Sequence, residues 1–292
     1  MTRRGWILFW SLGLIWGLPY LLIKVSVADL TPPVIIFLRV FISAIVLVPI
    51  AWKLGYLSQL KGHWKWVFAF AIIEITLPFG ALTFAEIRLS SSMSGLLIAA
   101  VPIVSAVIAW RLGLDDRVTG IRVIGLAVGI AGVAALVGLD VTGSEIGSVA
   151  ALLITIVGYA LGPIIVSKRL AGVPALAAIA MAMVINSVIY APFAIATWPT
   201  QTVPASTWIA VVALGLVCTA FAFILFFSLV AEVGPARTTV ITYINPAVAV
   251  VLGVVVLSEP ITLGLVIGFP LILLGSYLAT KKAPVFEGEP MG

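Results

Sequence analysis

Ten apolar runs, each about as long as a bilayer is thick, decide what this chain can fold into. They cover about residues 6–27, 33–52, 64–87, 91–111, 118–139, 146–167, 174–197, 207–230, 235–257 and 261–280. A helix needs roughly 20 predominantly apolar residues to cross the hydrocarbon core. Turn chemistry separates the runs, as at Thr31-Pro32-Pro33, Gly143-Ser144, Gly172-Val173-Pro174, Gly234-Pro235 and Glu259-Pro260. Strands of a membrane β-barrel would alternate in polarity over roughly ten residues, and these runs are too long and too uniform for that. Only 9% of residues are charged and 63% are apolar, too little charge to coat a water-facing surface. The expectation is an all-α, multi-pass protein of the inner (cytoplasmic) membrane, with ten transmembrane helices and lipid as its solvent. The connections leave no room for a soluble domain. Arg3 and Arg4 ahead of an apolar run, with Ser26-Val27-Ala28 beyond it, resemble a secretion signal. The run is long for one, and the repeat described below needs it as a retained first span.

Charge placement orients the spans. With the N-terminus inside, 13 of the 16 lysines and arginines fall at cytoplasmic positions, as the bias of cytoplasmic loops toward basic residues requires. The exceptions are Lys24, Arg39 and Arg88; the outer side otherwise carries Asp29, Glu86, Asp140, Glu145 and Glu259. Both termini are therefore expected in the cytoplasm. The net charge of +5 follows from topology, and no nucleic-acid partner is expected. One cysteine, Cys218, and one histidine, His63, make a metal site improbable, and no cofactor is expected.

The chain repeats itself. Pro19 and Lys24 recur 144 positions later as Pro163 and Lys168, and Pro102 recurs at the same offset as Pro246. Asp116, Gly125 and Gly132 recur 143 positions later as Glu259, Gly268 and Gly275. Ala85-Glu86 matches Ala231-Glu232. The expected organisation is a first five-helix repeat over 1–140, a second over 145–282 and a cytoplasmic tail over 283–292. Five is odd, so the second copy must insert upside down. Inverted repeats place a central cavity near the membrane midplane, and exchanging the conformations of the halves gives alternating access.

On these motifs the sequence resembles the drug/metabolite transporter superfamily, in its EamA-type branch of ten-helix transporters. The resemblance rests on Trp16-Gly17 with Lys24 in the first span and Arg39 in the second. It rests also on the proline-centred fourth and ninth spans, each followed by an acidic turn and glycines seven apart. The second copy, with Asn245-Pro246 and then Glu259-Pro260-Ile261-Thr262, fits better; the first carries Asp115-Asp116-Arg117 where Glu is usual. The resemblance implies export of small metabolites, with amino acids, aromatic ones among them, and organic cations as substrate classes.

The candidate site residues follow from cost. Glu74 lies about 15 Å into its helix, where an unpaired carboxylate is expensive. It reads as a proton-coupling group, as a partner for a substrate ammonium, or as a structural ion pair or cavity lining. Arg39 and Lys24 either snorkel outward or meet a substrate carboxylate or act as a gating pair. Pro19, Pro78, Pro102, Pro163 and Pro246 interrupt their helices and free carbonyls that need buried partners or cavity water. With Gly17 and Gly162, four of them (Pro19, Pro102, Pro163 and Pro246) are candidate hinges. Pro78 joins Trp16, Tyr20, Phe79, Tyr159 and Tyr243 as candidate pocket lining, with ordinary packing as the other reading. Thr238, Thr242 and Asn245 share one helix face, which meets the cavity or bonds to a neighbouring helix. The glycine pairs Gly125/Gly132 and Gly268/Gly275 read as packing, within a monomer or across a homodimer. No Walker A phosphate loop is present, so transport would run on gradients of substrate or ions, protons among them. A channel and an intramembrane enzyme are the readings from other classes. No enzyme activity is expected, because no catalytic constellation appears at membrane depth.

Overall fold

The computed structural model describes residues 2–113, 120–234 and 238–280. All regular structure among them is helical. The membrane helices are α1 (Arg3–Ser26), α2 (Pro32–Lys53), α3 (Trp64–Ala85), α4 (Ser91–Arg111), α5 (Gly120–Asp140), α6 (Ile146–Arg169), α7 (Ala175–Ala196), α8 (Ala205–Val233), α9 (Ile244–Leu257) and α10 (Leu263–Thr280). A short 3₁₀ turn, Thr239–Tyr243, leads into α9. Among the described residues nine helices are long and apolar enough to cross a membrane, and α9 with its 3₁₀ entry is shorter. The turn Asp115-Asp116 and the tail from Lys281 lie outside the described residues.

Local chemistry sets the helix starts. Thr2 accepts a hydrogen bond from the Gly5 amide at α1, and Ser90 accepts one from Met93 at α4, each satisfying an amide that the helix leaves unpaired. Two more caps come from the far half of the chain. The Glu259 carboxylate accepts from the Ser91 amide at 2.7 Å and from Ser92 at 3.0 Å. Asp140 accepts from the Gly264 amide at 3.0 Å and from the Thr262 hydroxyl. Acidic caps suit the positive end of a helix dipole, and here they also bind one repeat to the other.

Glycine contacts reveal the direction of each helix. Along α5 and α10, Gly125 lies against Leu278 and Ala279, Gly129 against Gly275, Gly132 against Ile272, and Gly268 against Leu136. Numbers rise on one helix as they fall on the other, so the two run antiparallel. A methyl on Gly132 would stand 2.8 Å from the Ile272 amide nitrogen, so the close approach needs glycine. The two glycine rows thus meet inside one chain. On α1 and α9 the numbers rise together, with Gly13 beside Ile244 and Gly17 beside Val248, so these two are parallel. Each helix packs where an exchange of halves would send its counterpart: α3 on α6 as α8 on α1, and α4 on α6 as α9 on α1. The fold is two five-helix repeats of opposite direction.

The exchange extends to a shared irregularity. In α3 the stretch Ala71–Thr76 is π-helical, and in α8 so is Leu216–Phe221, 145 positions later. A π turn leaves carbonyls without their helical donors, and in lipid each must find another. Asn186 of α7 donates its Nδ2 to the Ala71 carbonyl at 3.2 Å, and Thr76 donates to the same oxygen. Ser43 of α2 donates to the Gly215 carbonyl at 2.9 Å, and Thr219 donates to Leu214 at 2.8 Å. Each repeat lends its second helix to close the π turn of the other.

Helix α4 breaks at Ala99-Ala100, just before Pro102, and Ser276 of α10 donates to the Ala99 carbonyl at 2.7 Å. Its counterpart Pro246 follows the change from 3₁₀ turn to α-helix. Pro19 and Pro163 sit inside continuous helices instead.

Candidate functional site

Five of the polar and aromatic residues singled out in the sequence come together between the repeats: Tyr20 of α1, Arg39 of α2, Glu74 and Phe79 of α3, and Tyr159 of α6. Tyr20 and Arg39 are each only 7% exposed. The Arg39 guanidinium carbon lies 3.9 Å from the centre of the Phe79 ring, and its Nε donates to Thr219 Oγ1 at 2.9 Å. The arginine has therefore not snorkelled outward. It is held by a ring on one face and by the α8 π turn at its edge. Tyr159 lies in the electrostatic field of both Arg39 and Glu74, and Tyr20 in that of Arg39.

Glu74 sits inside the α3 π turn. Its carboxylate packs directly on Gly162 of α6, so closely that a side chain at that glycine would occupy the position of the carboxylate. Oε2 is buried and has no hydrogen-bond partner among the described residues. Gly158, one turn earlier on α6, faces Pro78, and Thr155 donates to the Pro78 carbonyl at 3.1 Å. Small residues on α6 thus let α3 approach with its carboxylate turned inward. Cys218, adjacent to Thr219, is buried, and the field of Arg39 reaches it.

The other expected residues are placed around this group. Trp16 stacks obliquely on Phe226, at 5.2 Å between ring centres, and meets Phe223 edge-on, so it belongs to an aromatic wall on α8. Gly17 lies against Val248 and the Asn245 carbonyl. With its amide oriented to satisfy both neighbours, Asn245 donates to the Ile241 and Gly13 carbonyls at 3.1 Å, tying α9 to α1. The Tyr243 hydroxyl donates to the Ser276 carbonyl at 3.2 Å and meets Thr280 Oγ1 at 2.8 Å, both on α10. Thr242 is half-buried, while Thr238 is buried and bonds the Gly234 carbonyl. Pro163 is exposed. Lys24 does not reach the group around Glu74; its Nζ donates to the carbonyls of Glu86 and Leu89, each at 2.8 Å, closing the C-terminal end of α3.

Sequence reasoning missed Thr219, which occupies in α8 the place of Glu74 in α3. It also missed the phenylalanines of α8 and the burial of Glu86. The sequence offsets of 143, 144 and 146 bracket Thr219 without singling it out; the paired π turns fix the register at 145. A cavity of about 230 Å³ opens elsewhere, at the end where α4 and α10 begin and α5 ends, lined in part by Arg88, Ser92, Asp140, Glu145 and Thr262.

Comparison with known proteins places this geometry. The EamA-like transporter family matches residues 3–138 and again 146–281. The uncharacterized transporter YvbV of Bacillus subtilis is 27% identical over 288 residues, 96% of this chain and 93% of that protein. The uncharacterized inner membrane transporter YedA of Escherichia coli K12 is 26% identical over 291 residues, 95% of this chain and 94% of that protein. One solved crystal structure superposes with a TM-score of 0.68 over 96% of this chain and 97% of its own; at 22% identity the likeness shows the fold.

Proposed function

Because the chain belongs to the EamA-like transporter family, and is thus a multi-pass membrane protein related to transporters, we propose that it is a secondary transporter exporting small metabolites. Amino acids lead as substrates, the inner membrane is the site of action, both termini face the cytoplasm, and transport proceeds by alternating access. The observation that carries this reading is the group between the inverted repeats: a buried guanidinium and a carboxylate with an unpartnered oxygen, flanked by Tyr20, Tyr159 and Phe79. An amino acid carries both charges. Its carboxylate suits Arg39 and its ammonium suits Glu74, while the tyrosines and the phenylalanine give its side chain rings to pack on. A buried polar group with an unpartnered oxygen at the repeat interface suits such a site.

Export of organic cations is the second reading. It is favoured by the engagement of Arg39 with Thr219 and Phe79, which leaves Glu74 as the group with an open oxygen.

Counterflow in proteoliposomes separates the two. Vesicles preloaded with an unlabelled amino acid should accelerate entry of the labelled compound, and Glu74→Gln and Arg39→Gln should each abolish the acceleration. Counterflow of a quaternary ammonium, lost with Glu74→Gln but kept with Arg39→Gln, would favour the cation reading. Absence of counterflow with both classes, in folded protein, would refute this assignment of the site.

A further inference from the structure

Helix α3 ends in a second carboxylate that the group around Glu74 does not use. Glu86 is 0% exposed, and both of its side-chain oxygens lack a hydrogen-bond partner among the described residues. An ionised carboxylate so placed has lost its water and gained no donor in return. The charged groups that act on it among the described residues are Lys24, Arg39 and Glu259, each already engaged. Lys24 of α1 donates to the carbonyls of Glu86 and Leu89. Arg39 of α2 is bonded to Thr219. Glu259, from the turn before α10, is bound to the start of α4. Tyr20 of α1 lies in the field of both Glu86 and Arg39. The described residues of α4 add no charge close by, only the buried hydroxyls of Ser91 and Ser94, which are themselves unpartnered.

The second repeat offers a comparison. Glu232, the sequence match of Glu86 near the end of α8, lies one residue out of the register set by the π turns; it accepts from Thr2 and faces Arg4 at 3.6 Å. A carboxylate near this end of the helix is thus satisfied by partners in the second repeat. At Glu86 none is supplied by the described residues.

We propose that Glu86 is a proton-binding site: it is neutral, as the carboxylic acid, in the conformation described here, and it ionises when movement of the repeats opens it to outer water or releases Lys24 or Arg39 to pair with it. The exchange is a single proton between the carboxyl oxygen and water, with no other bond made or broken. Arg39 lies in the field of Glu86 and in that of Tyr159, which also faces Glu74. Loss of the Glu86 proton would thus be felt where substrate is proposed to bind, and the proton would be the coupling ion. The coupling rests on the transporter reading; the protonation does not.

Infrared difference spectroscopy of the full chain in lipid, without substrate, tests the protonation directly. Protonated carboxyl groups should give a carbonyl band that shifts in heavy water, and Glu86→Gln should remove a component that Glu74→Gln leaves. Glu86→Asp should keep that component at a shifted frequency, which guards against a variant that merely misfolds. A band unchanged by Glu86→Gln would overturn the proposal. So would a component discharged by sodium at fixed pH, which would assign the site to a metal cation. In proteoliposomes Glu86→Gln should keep counterflow and lose the acceleration by a pH gradient. Unchanged response to the gradient would overturn the coupling and leave the transporter reading standing.

Discussion

Replacing Gly162 by alanine tests the contact on which the proposed site is built. An ideal methyl there would stand 2.6 Å from Glu74 Cδ and 3.1 Å from its Cβ, and would fall on the carboxylate oxygen itself. Two effects oppose each other. Alanine in a helix interior is favoured over glycine by about 0.5–1 kcal/mol. Forcing a methyl into an occupied position costs about 1–3 kcal/mol. The net expectation is destabilisation by up to roughly 2 kcal/mol, together with displacement of the carboxylate and loss of substrate exchange.

The decisive comparison is a double-mutant cycle. Glu74→Ala removes the two nearest atoms and keeps the Cβ contact at 3.1 Å, which a shift of a few tenths of an ångström relieves. In that background Gly162→Ala should be neutral or slightly stabilising, so the sign of its effect reverses. Glu74→Gln keeps the volume while removing the charge, and in that background Gly162→Ala should still destabilise. Reversible unfolding in mixed micelles of a mild and an anionic detergent reads all the variants. An interaction energy of about 1–3 kcal/mol is expected between Gly162→Ala and Glu74→Ala. Additivity within about 0.5 kcal/mol, or equal effects in the alanine and glutamine backgrounds, would refute the steric argument.

Arg39→Lys keeps the charge but loses the planar stack on Phe79 and the edge bond to Thr219; substrate exchange should fall about tenfold in folded protein, and an unchanged rate would remove Arg39 from the site. Ser43→Ala withdraws a donor from the Gly215 carbonyl and should cost about 1–3 kcal/mol of stability in the same unfolding assay. Gly132→Val drives methyl groups into the α10 backbone at Ile272 and should cost at least about 1–3 kcal/mol, while the relative exchange rates of different substrates in whatever folds stay the same.

Much of the frame was legible because lipid leaves a chain few choices. The third span is expected over 64–87 and found over Trp64–Ala85, and the seventh over 174–197 and found over Ala175–Ala196. The glycine pairs on α5 and α10 announced close packing, and the structure seats each row on the other. The break before Pro102 could also be expected, since proline cannot donate to the ladder. The π turns could not. One extra residue per turn leaves no mark on composition, and nothing in Ala71–Thr76 predicts where its free carbonyl points. Asn245 shows a related limit. A buried amide serves a cavity or a neighbouring helix equally well, and only the distance to the Gly13 and Ile241 carbonyls decides. Glu86 looked like an outer-surface acid because it adjoins a turn; its burial depends on α1 and the turn before α10, both far away in sequence.

The backbone is nearly symmetric, and the chemistry is not. Glu74 and Thr219 hold equivalent places in the two π turns, yet one offers a carboxylate and the other accepts Arg39. Glu86 and Glu232 lie near the ends of the same paired helices, one residue out of register, yet one is buried with no partner among the described residues and the other faces Arg4. Symmetry of the backbone is what makes two mirror conformations similar in energy, so that small differences choose between them. Asymmetry of the charges is what lets a ligand or a proton supply that difference, since a group bound equally well in both states shifts nothing. On the proposed reading, the carboxylates on the first repeat do that work. A chain with threonine at 74 and glutamine at 86 would keep the fold and the two conformations, and would lose the means of driving one into the other.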